Sequence, residues 1–179
     1  MITILDKQFI PFIDREVIEG RISELANQIS KDYEGQCPLF IIVLNGAFLF
    51  ATELVKNVPL SCEITFVRFS SYSQTESTGN VRQIIGLEEK IEDRHVIIIE
   101  DIVDTGLTMS QLLSQIEKLN PRSLEIATLL HKPEALVKPV TMKYVGFEIE
   151  NRFVVGYGLD YEGLGRNLSA LYVVSDSLT

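Results

Sequence analysis

Three apolar runs limit what this chain can fold into. They occupy residues 38–44, 95–99 and 124–130, and polar side chains hardly interrupt them. Continuous apolar runs of this length are typical of strands that are buried on both faces, as in parallel sheets. The runs therefore predict three central strands of one buried sheet.

Helical periodicity fills the intervals between these runs. Residues 47–56 have a helical composition, and two other segments place apolar residues on one helical face: Ile18, Ile22, Leu25 and Ile29 in residues 15–31, and Met109, Leu113, Ile116 and Leu119 before Pro121. Strands that alternate with helices predict an α/β fold, with a central, mostly parallel sheet and helices on both faces. Ligands of such sheets bind beyond the carboxyl ends of the strands.

Shorter extended segments complete the pattern. Residues 63–69 alternate and 81–87 read as extended, whereas the polar residues 70–80 between them predict a mobile loop. The last third contains only short strands, at 145–149, 153–155 and 171–174. We therefore expect a single domain over residues 1–179. Its core spans roughly 15–140, and a small strand-rich hood comes mainly from 141–179 with the N-terminal segment.

Composition excludes some classes of function. The net charge of −9 and the pI of about 4.7 argue against non-specific binding of nucleic acid, which depends on clustered Lys and Arg. The apolar runs are too short to span a bilayer, and the N-terminus has no signal-peptide pattern. Cys37 and Cys62 form no disulfide framework. These features predict a cytoplasmic protein without a membrane partner.

The segment 96–108 carries the strongest functional signal. An apolar strand leads into the adjacent acids Glu100 and Asp101, and then into Asp104 and a Thr-Gly turn that opens a helix. Backbone N–H groups at such a helix start favour a phosphate dianion. Adjacent carboxylates suit ribose hydroxyls or a hard cation. The alternative is an ordinary helix N-cap at Asp104 and a solvated strand end. P-loop and dinucleotide-binding glycine motifs are absent from the sequence.

This segment resembles the phosphoribosyl diphosphate signature of the type I phosphoribosyltransferases. Other features extend the resemblance over nearly the whole chain. Leu44-Asn45-Gly46 resembles the diphosphate loop of the family, and Ser71-Tyr72 with Ser77-Thr78-Gly79 resembles its flexible closing loop. His131-Lys132-Pro133, the segment 145–149 and the segment 153–161 with Arg166 beyond it resemble the purine site and hood of the hypoxanthine-guanine branch.

The resemblance implies roles on the phosphoribosyl side of the site. Glu100 and Asp101 would hold the ribose hydroxyls, directly or through Mg²⁺. The 5-phosphate would lie in a cradle formed by Thr105, Gly106, Leu107 and Thr108. Asp104, at the head of that cradle, would accept or relay the proton of the purine. Many family members have a lysine where this chain has Asn45, and often a cis peptide at the position of Leu44–Asn45.

On the purine side, the resemblance implies that Lys132 donates to the 6-oxo oxygen and that Phe153 stacks on the ring. Val154 would contact the base through its backbone, and Asp160 would meet the base and a second Mg²⁺. The diphosphate ligands would be Asn45, Gly46 and Arg166, and Ser71 and Tyr72 would cover them.

The resemblance thus implies a magnesium-dependent enzyme of purine salvage. It would transfer the 5-phosphoribosyl group from phosphoribosyl diphosphate to hypoxanthine and guanine, giving IMP or GMP and diphosphate. Its partners would be small molecules, and the chain would assemble as a homodimer or homotetramer.

Two alternatives stay open. A nucleotide-sensing regulator on the same fold would need a basic nucleic-acid face or an added DNA-binding domain, against which the charge and length argue. A phosphate-accepting receiver domain would leave the Thr-Gly phosphate loop unexplained.

Overall fold

The computed structural model describes residues 1–69 and 84–175. The predicted closing loop at 70–80, with Ser71 and Tyr72, lies outside these residues. In the described part of the chain, the strands are β1 (Ile2–Ile4), β2 (Lys7–Ile13), β3 (Leu39–Leu44), β4 (Glu63–Phe69), β5 (Ile84–Ile85), β6 (His95–Val103), β7 (Ser123–His131), β8 (Tyr144–Glu148), β9 (Val154–Val155) and β10 (Leu171–Val174). The helices are α1 (Arg15–Asp32), α2 (Phe48–Lys56) and α3 (Leu107–Glu117).

The main sheet has the strand order β5-β4-β3-β6-β7-β8. Five strands of this sheet run parallel to one another: β4, β3, β6, β7 and β8. The short β5 pairs antiparallel with β4. The predicted α/β fold with a mostly parallel sheet is confirmed.

Both faces of the central strands are buried, as their unbroken apolar runs predict. Along β3, Phe40 and Ile42 pack into the cluster that contains the buried faces of α1 and α2, whereas Leu39 and Ile41 pack into the cluster that contains α3. Successive side chains of a strand point to opposite faces. The helices therefore cover the sheet from both sides.

A second, antiparallel sheet has the order β1-β2-β10-β9. It joins the N-terminal strands to the C-terminal ones, in agreement with the predicted hood. Its buried residues Val154 and Val173 belong to the same cluster as α1 and α2, so this sheet packs directly on the core.

Two sequence expectations differ from the structure. Tyr144–Glu148 lies in the main sheet beside β7, although residues from 141 onward were expected in the hood. In α3 the buried face is formed by Met109, Leu112 and Ile116, whereas Leu119 follows the helix and is 44% exposed. The helix ends at Glu117, so Leu119 never completes the predicted stripe.

Among the described helices, none combines the length and the hydrophobicity that a membrane-spanning segment requires.

Candidate active site

The carboxyl edge of the main sheet brings the predicted residues together. Strands β3, β6 and β7 end at Leu44, Val103 and His131, and the last two residues lie opposite each other in register. Asn45, Asp104 and Lys132 each follow one of these strands, so they lie at the same edge.

The acidic pair lies within β6 rather than after it. Glu100 pairs with Thr128 in register and is only 9% exposed. Burial raises the pKa of the Glu100 carboxyl well above its usual range, and the adjacent negative charge of Asp101 adds to this effect. The backbone N–H of Asp101 donates to Oε1 of Glu100 at 3.1 Å. The alternative of a solvated strand end is therefore wrong for Glu100.

Residues 104–108 form the turn from β6 into α3. Gly106 has a φ of 74°, a left-handed conformation that favours glycine. A Cβ on Gly106 would also overlap the carbonyl oxygen of Lys138. The backbone N–H groups of Val137 and Lys138 both donate to the carbonyl oxygen of Thr105 at 3.0 Å, which braces this turn from outside.

The N-cap of α3 is Gly106, and the first helical N–H, that of Leu107, donates to Oγ1 of Thr105 at 3.5 Å. Asp104 is therefore not an ordinary helix cap, contrary to the alternative interpretation. A small cleft opens over the turn, and its wall includes Glu100, Asp104, Thr105, Gly106 and Thr108. Leu107 begins the helix and is 44% exposed.

A second cleft, of about 260 Å³, lies between the sheet edge and the hood. Its wall consists of Asp101, Ile102, Asp104, Lys132, Phe153, Val154, Leu159 and Asp160. Lys132 is 6% exposed, and its Nζ lies 3.2 Å from Oδ2 of Asp104. Asp104 lines both clefts and therefore connects the turn at residues 104–108 to the second cleft.

The hood supplies one aromatic wall of this second cleft. Phe153 is 42% exposed, whereas Val154 next to it is buried in β9. The exposed face of Phe153 is available to a planar ligand. Since Val154 is held in the hood sheet by pairing with Val173, its backbone position is fixed.

The loop after β3 lies against both the acids and the hood. The Leu44–Asn45 peptide is cis, as the resemblance implies. A Cβ on Gly46 would overlap the carboxylate of Asp101, and a Cβ on Gly158 would overlap the carbonyl oxygen of Gly46. Backbone thus packs on backbone at this point, which only glycine permits.

Arg166 lies beside the cleft and makes contacts within the hood. Its Nη2 lies 2.6 Å from Oδ1 of Asp160, and its Nη1 donates to the carbonyl oxygen of Gly158 at 2.7 Å. The other carboxylate oxygen of Asp160 accepts a bond of 2.7 Å from the Gly163 N–H. Both Asp160 oxygens therefore have protein partners in this structure.

Sequence reasoning missed several residues around the second cleft. Ile102 and Leu159 complete its wall. Lys7 and Tyr161 lie against Phe153. The Tyr161 hydroxyl donates to Asp6, which lies 155 residues earlier in the sequence. No local pattern around Lys7 signals this contact, because it depends on the pairing of strands from opposite ends of the chain.

Comparison with known proteins agrees with this geometry. The phosphoribosyl transferase domain family matches residues 14–162. The chain is 48% identical to a hypoxanthine-guanine phosphoribosyltransferase of Mycobacterium bovis, with 86% of this chain and 80% of that protein covered. It is 40% identical to a hypoxanthine-guanine-xanthine phosphoribosyltransferase of Tritrichomonas foetus, with 92% and 91% covered.

Solved structures give the same result. The crystal structure of a hypoxanthine phosphoribosyltransferase from Staphylococcus aureus superposes with a TM-score of 0.87 at 39% identity, with 95% of this chain and 92% of that chain covered. The fold, the clefts at the sheet edge and the relatives agree, and the chain belongs to the phosphoribosyltransferase family, in its hypoxanthine-guanine branch.

Proposed function

We propose that this enzyme transfers the 5-phosphoribosyl group from phosphoribosyl diphosphate to hypoxanthine and guanine, giving IMP or GMP and diphosphate. The family supports this reaction. The observation that carries it is the pairing of Asp104 and Lys132 at 3.2 Å, at the junction of the two clefts. One carboxylate thereby lines both the turn at residues 104–108, where we place the 5-phosphate, and the second cleft, where we place the purine and which we call the purine cleft.

On the phosphoribosyl side, residues Thr105, Gly106, Leu107 and Thr108 hold the 5-phosphate. The left-handed Gly106 and the bracing of Thr105 by residues 137 and 138 support a preformed cradle. An anion is stabilised at the start of α3 by the backbone N–H groups and by the helix dipole. Glu100 and Asp101 bind the ribose hydroxyls.

On the purine side, Lys132 donates to the 6-oxo oxygen and Phe153 stacks on the base. Lys132 has three donors, of which one reaches Asp104, so others remain for the ligand. The backbone carbonyls of Val154 and Asp160 accept from the 2-amino group of guanine, a contact that hypoxanthine does not need.

The chemical step needs one proton acceptor. Asp104 takes the proton from a ring nitrogen of the base, and that nitrogen forms its bond to the anomeric carbon of the ribose. The bond between this carbon and the diphosphate oxygen breaks, and diphosphate leaves with the electron pair. Lys132, being close to Asp104, keeps the carboxylate oriented toward the base.

The residues present fit a magnesium ion. Mg²⁺ prefers one or two carboxylates together with substrate oxygens. Glu100 and Asp101 offer such a set, and their mutual repulsion would be relieved by a cation. When bound, the metal supplies positive charge to the leaving diphosphate. Asp160 is a candidate for a second ion, although that role requires exchange of its contacts with Arg166 and Gly163.

The diphosphate is bound by the loop at Asn45 and Gly46 and by Arg166. Arg166 has to redirect part of its guanidinium from Asp160 toward the ligand. For Ser71 and Tyr72, which lie outside the described residues, the family resemblance implies the role of covering the diphosphate and excluding water.

The proposal extends to organisation and location. We infer a single domain over the whole chain, assembled as a homodimer or homotetramer with small molecules as its other partners. We infer a cytoplasmic location, which the two free cysteines, Cys37 and Cys62, support.

Release of diphosphate is the direct test. The purified protein is given phosphoribosyl diphosphate and Mg²⁺ with hypoxanthine, guanine or adenine, and with a chelator as a control. We expect diphosphate and the matching nucleotide from the two 6-oxopurines only, and none with chelator. Absence of diphosphate with hypoxanthine would contradict the proposal.

A further inference from the structure

The N-terminal hairpin places a lysine against the aromatic wall of the purine cleft. Lys7 begins β2, which pairs with β10, and β10 pairs with β9 next to Phe153. Its Nζ lies 5.4 Å from the centre of the Phe153 ring and 4.6 Å from the centre of the Tyr161 ring. Both distances are within the range of about 6 Å in which a cation is attracted to an aromatic ring.

Three side chains surround the Phe153 ring on the hood side. Phe9 is fully buried, with its ring centre 6.3 Å from that of Phe153. Tyr161 meets Phe153 edge to face at 5.7 Å and an angle of 80°. We call Lys7, Phe9, Phe153 and Tyr161 the hood aromatic cluster.

The hairpin turn anchors this cluster at its outer end. The Tyr161 hydroxyl donates to Oδ1 of Asp6 at 2.7 Å, and Asp6 directly precedes Lys7. This hydrogen bond raises the pKa of the Tyr161 hydroxyl and lowers the pKa of the Asp6 carboxyl. The turn therefore holds Lys7 and Tyr161 in one arrangement.

Phe153 belongs to the wall of the purine cleft, whereas Lys7, which the structure also describes, does not. Phe153 is 42% exposed and lines the cleft, while its ring contacts Phe9, Tyr161 and Lys7 in the hood. A ring that is already fixed loses little side-chain entropy when a ligand stacks on it.

We propose that Lys7 is a positioning residue for the purine base. Its ammonium holds the rings of Phe153 and Tyr161 in place and draws their π density toward the hood, so the Phe153 surface in the cleft is ready to stack on an electron-rich base. This inference rests on the proposed function, because it assigns the ligand of Phe153. Lys7 acts through Phe153 and does not touch the reacting atoms.

The test compares Lys7→Met, which removes the charge at similar length, with Lys7→Arg, which keeps a cation. We expect Lys7→Met to raise the Michaelis constant for hypoxanthine by up to about 2- to 5-fold, the change that corresponds to the full attraction of an exposed cation to a ring. The constant for phosphoribosyl diphosphate and kcat should stay near wild type, and Lys7→Arg should restore the constant for hypoxanthine. Lys90→Met is the matched control, since Lys90 is 80% exposed and pairs with Glu92.

A second comparison isolates Phe153 as the intermediary. In a Phe153→Leu background, Lys7→Met should have no further effect on the Michaelis constant for hypoxanthine, because the ring is gone. Calorimetry with IMP repeats both comparisons without turnover, and we expect the same pattern in its dissociation constant. An unchanged constant in Lys7→Met, an equal rise for both substrates, or a full effect without the ring would overturn the proposal.

Failure of the proposed function gives a different result. In that case the wild type releases no diphosphate from hypoxanthine and does not bind IMP, before any variant is compared.

Discussion

Lys132→Met tests most directly how the enzyme discriminates between 6-oxopurines and adenine. Lys132 is buried, its Nζ lies 3.2 Å from Oδ2 of Asp104, and the residue lines the second cleft, where we propose that the purine binds. Methionine has a similar length and no donor. The variant therefore removes the hydrogen bond to a 6-oxo group and leaves the shape of the cleft nearly unchanged.

The size of the effect follows from the chemistry of that bond. A hydrogen bond to a charged group contributes about 1.5–3 kcal/mol, which corresponds to a loss of about 10- to 150-fold in kcat/KM for hypoxanthine. In the wild type, adenine would place an amine against the ammonium, and such mismatches are rejected by up to about 10⁴-fold. Lys132→Met should remove this mismatch, so the ratio of the two specificity constants should shrink.

The fold should tolerate the change. The Asp104 side chain is 44% exposed, so its carboxylate keeps water as a partner when Lys132 is lost. We expect the free energy of unfolding to change by no more than about 1 kcal/mol, as for other partly exposed ion pairs.

The assay measures kcat/KM for hypoxanthine, guanine and adenine in the wild type and in Lys132→Met. Lys118→Met, a substitution of an exposed lysine after α3, serves as the control and should match the wild type. Efficient use of adenine by the wild type, or an unchanged ratio in Lys132→Met, would refute the role of Lys132.

Three further predictions concern the general base Asp104, the loop at Asn45 and the pH dependence of stability. Asp104→Asn should fold normally and lower kcat by about 10²–10⁴-fold, the range for a lost general base, and near-normal turnover would remove Asp104 from the mechanism. Asn45→Lys should lower the Michaelis constant for phosphoribosyl diphosphate, more at low salt than at high salt. Asn45 is exposed, so a lysine fits at this position. A Michaelis constant that does not fall would show that the added positive charge does not help to bind the diphosphate. The Lys143 ammonium and the Tyr144 hydroxyl lower the pKa of Asp32, so its charge stabilises the fold above the ordinary pKa of about 3.9 and ceases to do so as pH falls through the lowered value. Asp32→Asn should therefore destabilise by at most about 1 kcal/mol at pH 7 and by nothing at low pH, in urea unfolding at both pH values; an equal loss at both would contradict the sign.

The main sheet and its active edge could be predicted because their signals are local. A buried parallel strand needs apolar residues on both faces, and the turn after β6 needs Thr-Gly, so short segments specify each of them. β8 was wrongly expected in the hood because it is an edge strand. Its burial alternates, with Tyr144 and Gly146 buried, and this pattern is also typical of a half-exposed antiparallel strand.

The contacts between the hood and the cleft could not be predicted in the same way. Lys7 reaches Phe153 only after β2, β10 and β9 have paired, and the pairing of Arg166 with Asp160 depends on a tight loop around Gly163. In both cases the partners are brought together by tertiary structure, which leaves no periodic pattern in the sequence.

The contact between Gly158 and Gly46 sets a fixed spacing within the enzyme. Peptide groups, rather than side-chain rotamers, determine how far the hood stands from the loop after β3. Other hood residues can therefore change without altering the distance between the hood and this loop. Because the contact fixes this distance, an engineered hood with a different preference for the purine base should retain both Gly46 and Gly158.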